Sequence, residues 1–91
     1  MSAIHLVIYG RVQGVGYRSW TKNTATRLGL TGWVRNTRVG TVEAIFDGTA
    51  EALEEIRSLC KRGPLAAKVE HVEESPWTGE IPDDFLQRST A

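Results

Sequence analysis

IHLVIYGRVQGVGYR, residues 4–18, decides how this 91-residue chain is read. Its first part, Ile4 to Tyr9, is a short run rich in β-branched and apolar side chains, the length and composition of a strand. Gly10, Gly14 and Gly16 follow close together. Loops that only turn a corner rarely need so many glycines, whereas loops that bring backbone close to a ligand often do. From Arg18 the periodicity becomes helical. Trp20, Thr24 and Leu28 share one face, Ala25 lies beside them, and Gly29 is a natural stop. Several threonines make this helix moderate by propensity, so its stability must come from packing. The stretch reads as strand, glycine-rich turn and helix start.

Working outward, Thr31 to Arg38 and Thr41 to Phe46 read as two strands joined by a hairpin at Val39-Gly40, with Asp47-Gly48 closing the second. Thr49 can cap a helix from Ala50 to about Lys61, whose apolar face carries Leu53, Ile56 and Cys60. Gly63-Pro64 ends it. Ala67 to Glu74 reads as a further strand with Ala67, Val69, His71 and Glu73 on one side. A turn-rich loop runs from Ser75 to Asp84, and Phe85 to Thr90 can add a short edge strand. The order β-α-β-β-α-β is a split βαβ arrangement. It predicts an α+β sandwich with a mainly antiparallel sheet of four to five strands and two helices on one face.

The length suits one domain spanning residues 1–91, and a composition of 41% hydrophobic and 24% charged residues is that of an ordinary globular protein. No apolar run approaches the roughly 20 residues needed to span a bilayer, and no secretory leader is evident. Cys60 is the only cysteine, which excludes an intramolecular disulfide and a multi-cysteine metal site and fits a reducing compartment such as the cytoplasm. The zero net charge hides an asymmetry. Residues 1–42 carry six basic side chains and no acidic one, while residues 43–91 carry five basic side chains and all eleven acids. If the basic part converges, it suits a small anion; otherwise it is a dipolar surface. A long polyanion such as nucleic acid is disfavoured by the acidic part.

Gly14-Val15-Gly16-Tyr17-Arg18 sits where a strand enters a helix. Unpaired amides point outward there, and the helix dipole adds positive potential. Glycines allow successive amides to converge as an anion nest, and Arg18 can close over it with a planar guanidinium. The alternative is a purely structural turn. Rival phosphate loops fail: the Walker A Gly-Lys-Ser/Thr is absent, Ser19 stands where a dinucleotide fingerprint needs a third glycine, and a cysteine-phosphatase loop would need its thiol where Val12 stands. In Gly32-Trp33-Val34-Arg35-Asn36, an asparagine within a strand works against β propensity. Its carboxamide can hold a water while touching a substrate oxygen, or Asn36 can simply begin the turn. His5 and His71 each stand singly in a strand and read as structural, as does Cys60. Ser19 has no visible basic partner that would activate it. Trp20 or Trp33 can edge a site, and Arg11, Arg35 and Arg38 can steer anions or simply be solvated.

GRVQGVGYR and GWVRNTRVGTVEAIFDG together resemble the acylphosphatase family, over roughly residues 4–74. The resemblance implies a ferredoxin-like βαββαβ sandwich and hydrolysis of acyl phosphates to carboxylate and inorganic phosphate, with no cofactor and no metal. It implies that Arg18 binds the phosphoryl group with the amides of the loop Gln13, Gly14, Val15, Gly16 and Tyr17, and that Asn36 positions the attacking water. A small-molecule substrate, no nucleic-acid or membrane partner and a monomeric, cytoplasmic enzyme are the matching expectations. The chain's end at Ala91 is read as favouring an independent enzyme over a unit of a larger carbamoyl-phosphate-handling protein. The hairpin tip Arg38-Val39-Gly40 departs from the Asp-Gly pair common there, and the segment FLQRST matches weakly. The competing functions are a non-catalytic small-anion-binding or regulatory module and an RNA-binding sandwich. The latter wants exposed aromatics that the strand TVEAIF lacks.

Overall fold

A computed structural model describes residues 2–91. Strand β1 (Ser2–Arg11) leads through the glycine loop into helix α1 (Tyr17–Arg27). Strands β2 (Thr31–Asn36) and β3 (Val42–Gly48) form the hairpin, helix α2 (Ala50–Cys60) follows, and β4 (Lys68–Pro76) and β5 (Phe85–Gln87) complete the chain. The sheet runs β4-β1-β3-β2-β5. The first four strands pair antiparallel and β5 lies parallel to β2. Both helices pack on one face of this sheet, as the element order predicts.

Strand alternation decides which side chains meet the helices. Ile4, Leu6 and Ile8 of β1, Val34 of β2, and Val42, Ala44 and Phe46 of β3 share the helix face and form the core with Leu53, Ile56 and Cys60 of α2. Each of the Val, Leu, Ile and Phe side chains among them contributes about 1.5–3 kcal/mol when fully removed from water. The Thr49 hydroxyl accepts from the Ala52 amide at 3.1 Å, the N-cap expected for α2.

Three expectations are corrected in detail. The buried stripe of α1 is Tyr17, Thr21, Thr24 and Ala25, so Trp20 and Leu28 flank the stripe and do not centre it. The hairpin strands end at Asn36 and begin at Val42, and β3 continues through Asp47-Gly48. In β4 the register shifts: Tyr9 pairs with His71, but Gly10 pairs with Val69. Glu70 is therefore an extra residue in the ladder, a bulge that lets Val69 and Val72 both pack against the core. The simple alternation of Ala67, Val69, His71 and Glu73 breaks there. Gly10, at φ 127°, makes the bulge possible, because a Cβ would drive into the main chain of Lys68 and Glu70.

Candidate active site

Helix α1 begins without a side-chain cap. Its N-cap is Gly16, held at φ 80°, and its first turn carries no acidic residue. The leading amides of an α-helix have no intrahelical partner, so here they face out with the positive end of the dipole unopposed. Gly14 is also left-handed, at φ 74°. A Cβ at Gly14 or Gly16 would meet nothing within 4 Å, so backbone torsion, not crowding, demands glycine at both. Together the two bends fold the loop around a cavity of about 130 Å³.

The lining of that cavity brings the two sequence motifs together. Gly14, Gly16, Tyr17 and Arg18 come from the loop and helix start, and Asn36 comes from the end of β2. Asn36 lies on the same strand face as the buried Val34, so its carboxamide is directed to the helix side of the sheet. Among the described residues no side chain or amide bonds that carboxamide, and no carboxylate pairs with Arg18. The Arg18 guanidinium is held instead through Nη1, which donates to the Arg88 carbonyl oxygen at 3.0 Å. A guanidinium without a carboxylate partner, helix amides without an intrahelical acceptor and a carboxamide without a bond among the described residues thus border one small space.

Other loop residues act through their side chains elsewhere. Gln13 Nε2 donates to the carbonyl oxygens of Thr37 and Thr41, each at 2.8 Å, and so ties the loop to the hairpin beside Asn36. The Tyr17 ring turns into the core, where its hydroxyl donates to the Cys60 carbonyl oxygen at 2.6 Å; burial pushes the phenol well above its ordinary pKa. Val15 packs partly against the core. For Gln13, Val15 and Tyr17, only the main chain remains to meet an anion.

Sequence reasoning missed Gln87 as part of the lining and the Arg88 carbonyl as the brace of Arg18. Phe85 and Gln87 lie two apart on one strand, with Phe85 in the core, so Gln87 follows onto the site's side of the sheet. That pattern is readable once a strand at Phe85 is granted. Ser19 also lines the cavity, without a histidine or lysine in the lining to activate it.

The groups read as structural are so placed. His5 Nε2 lies 2.6 Å from Glu43 Oε2, and the His71 ring packs on Tyr9, both outside the cavity. Cys60 is fully buried, and burial pushes its thiol up to about 12. Neither Trp20 nor Trp33 reaches the lining. The basic half of the chain does not converge here: Arg35 is paired with Glu43 at 2.8 Å, while Lys22 borders another cavity with Asp83 and Asp84. Of the basic side chains, Arg18 alone enters the lining.

The Acylphosphatase family model matches residues 4–86, a span that takes in both motifs of this cavity. The chain belongs to the acylphosphatase family. An acylphosphatase of Nitrobacter hamburgensis is 55% identical over 71 residues, covering 78% of this chain and 72% of that one. One from Acidiphilium cryptum is 46% identical over 90 residues, covering 99% of each chain. The solved acylphosphatase of Coxiella burnetii superposes with a TM-score of 0.91 at 33% identity, over 96% of this chain and 92% of that one. The chain is therefore a hydrolase with the ferredoxin-like acylphosphatase architecture. Among the described residues, no helix is long and apolar enough to cross a membrane.

Proposed function

We propose that this acylphosphatase hydrolyses the carboxyl-phosphate bond of small acyl phosphates, with Arg18 and the amides of the Gln13–Tyr17 loop holding the phosphoryl group and Asn36 aiming the water. One observation carries the reading: a guanidinium with no carboxylate partner and a carboxamide with no side-chain bond, both judged among the described residues, line a single cavity with the uncapped helix amides. The transition state of phosphoryl transfer spreads charge over three equatorial oxygens. Donors already in place before reaction stabilise that charge without reorganising. Water oxygen bonds to phosphorus as the bond from phosphorus to the carboxyl oxygen breaks, and the electron pair leaves on the carboxylate. A carboxylate is a good leaving group and needs no general acid. The lining holds no carboxylate, imidazole or thiol. The water's proton accordingly goes to a phosphoryl oxygen of the substrate, and inorganic phosphate departs. Removing one preorganised donor typically costs about 10² to 10³ in rate, and Arg18 adds binding to that.

Benzoyl phosphate turnover tests the proposal. Wild type is expected to hydrolyse it with or without a chelator. Arg18→Ala is expected to lose at least about 10³ in kcat/KM and to bind inorganic phosphate more weakly. Undiminished turnover in Arg18→Ala would refute the assignment, and phosphate binding without turnover in wild type would favour the anion-binding module. A rate that depends on added divalent metal would overturn the metal-free reading. We assign the chain, residues 1–91, as one catalytic domain acting as a monomer in a reducing, cytoplasm-like compartment. Sedimentation of the native protein checks the monomer.

A further inference from the structure

The strands that build the catalytic cavity build a second one on the opposite face of the sheet. Strand alternation sends Asn36 and Gln87 to the helix side, and their chain neighbours Arg35 and Arg88 to the other. There a cavity of about 380 Å³ is bordered by Trp33, whose buried indole lies against the Arg35 and Arg88 guanidiniums. The Arg35 guanidinium carbon lies 4.6 Å from that ring's centroid and the Arg88 guanidinium carbon 5.3 Å. The loop after β4 supplies the facing wall through Trp77, Ile81 and Pro82, and the Trp77 ring meets Trp33 edge-on at 6.1 Å. This volume is within the range of small-molecule sites, and the lining sets charged groups, Arg35, Glu80 and Arg88, beside apolar ones.

The charges specify the occupant. Arg35 uses Nε to bind Glu43 at 2.8 Å, which leaves its terminal nitrogens unbonded to any described residue. The Arg88 guanidinium has no hydrogen-bond or ion-pair partner among the described residues. Glu43 stands outside the lining and is shared with His5. Glu80 is the one acid in the lining; it is exposed, and its main-chain carbonyl accepts from the Trp77 indole at 3.1 Å. Two guanidinium donors beside the half-buried Trp77 indole and the apolar Ile81 and Pro82 match a planar apolar body bearing one carboxylate.

The geometry points to a second ligand site, formed by Trp33, Arg35, Trp77 and Arg88, for a planar organic monocarboxylate. It stands independently of the hydrolytic reading, since neither Arg18 nor Asn36 lines it.

The test titrates 1-naphthoate into the isotope-labelled native chain and follows the indole N–H resonances of Trp33 and Trp77 by NMR. Naphthalene-1-carboxamide supplies the ring without the charge, and inorganic phosphate supplies charge without the ring. Naphthoate is expected to shift both indoles saturably, with the carboxamide about tenfold weaker or worse. Phosphate is expected to leave both indoles in place. Arg88→Gln and Arg35→Gln should each weaken naphthoate about tenfold. Glu80→Gln should tighten it, a gain that a merely damaged fold does not produce. Asn36→Ala, which removes no bond to a residue of this cavity, should leave the indole titration unchanged. Equal binding of naphthoate and carboxamide, indifference to both arginine changes, or shifts confined to Gly14, Gly16 and Trp20 would overturn the site.

Discussion

Asn36 illustrates what a single residue contributes here. It occupies a strand position where propensity favours a branched side chain, and it leaves its carboxamide unbonded within the described structure. Its task in the proposed reaction is orientation, which matters most as the transition state forms. Asn36→Ala is therefore expected to lower kcat by about 10² while KM for benzoyl phosphate stays within about threefold. Steady-state kinetics check this, and a change confined to KM would make Asn36 a substrate ligand. Arg18 and Asn36 stand out in the sequence, a cation at a helix's positive end and an amide in a strand, but read alone each left a structural alternative open, and the resemblance to the acylphosphatase family is what joined them in one expected site. Side-chain direction was not legible. Nothing local shows that Gln13 turns to the hairpin carbonyls or that the Tyr17 ring turns inward to Cys60. Gln87 was hidden because its strand is only three residues long and most of the segment is exposed.

Among the elements, the loop between β1 and α1 depends most on torsion. Gly16 has open space around its Cα, so an added methyl meets no neighbour and the cost is that of the left-handed backbone, about 1–2 kcal/mol. Gly16→Ala is thus expected to lower Tm by about 4–8 °C per kcal/mol lost. It should also raise KM for benzoyl phosphate, because relaxing φ from 80° turns the leading amides of α1 away from the cavity. Thermal unfolding and kinetics on the same sample separate the two effects, and an unchanged KM at lowered Tm would mean that the amides do not bind substrate. The order of elements was readable from periodicity and glycine positions. The β4 bulge was not, because it arises where Gly10 meets Lys68 and Glu70 across the sheet. The stripe of α1 was misplaced for a local reason: Tyr17, read as the end of the glycine loop, is the helix's first residue and its first buried one.

For the whole molecule, the sheet separates a helix-side core from a face carrying its own polar network. Glu43 links His5 and Arg35 across three strands. Burial alone would raise its pKa, but the hydrogen bonds from His5 and Arg35 outweigh that, and its carboxyl titrates below the ordinary 4.5. A depressed folded value stabilises the fold above the unfolded pKa and ceases to do so as pH falls through the folded one. Glu43→Gln should therefore lower the urea midpoint at pH 7 by an amount equivalent to about 1 kcal/mol or less, and the two proteins should converge as the carboxyl protonates at low pH. On the helix side, Cys60 reports opening of the whole structure. Its thiol is fully buried and pushed up to about 12, so a disulfide reagent at pH 8 meets almost no thiolate in the folded chain. Labelling must then proceed through opening of α2 from the sheet, and its rate should rise with urea along the global unfolding curve. Inorganic phosphate binds the folded state alone if the loop and Arg18 form its site. It should slow labelling by the factor one plus its concentration over Kd. In Arg18→Ala that protection should shrink or vanish while the rate without phosphate changes little, because the guanidinium's one bond within the described structure is to an exposed tail residue. Full protection retained in Arg18→Ala would place the phosphate elsewhere on the molecule and overturn the link between the cavity and the anion.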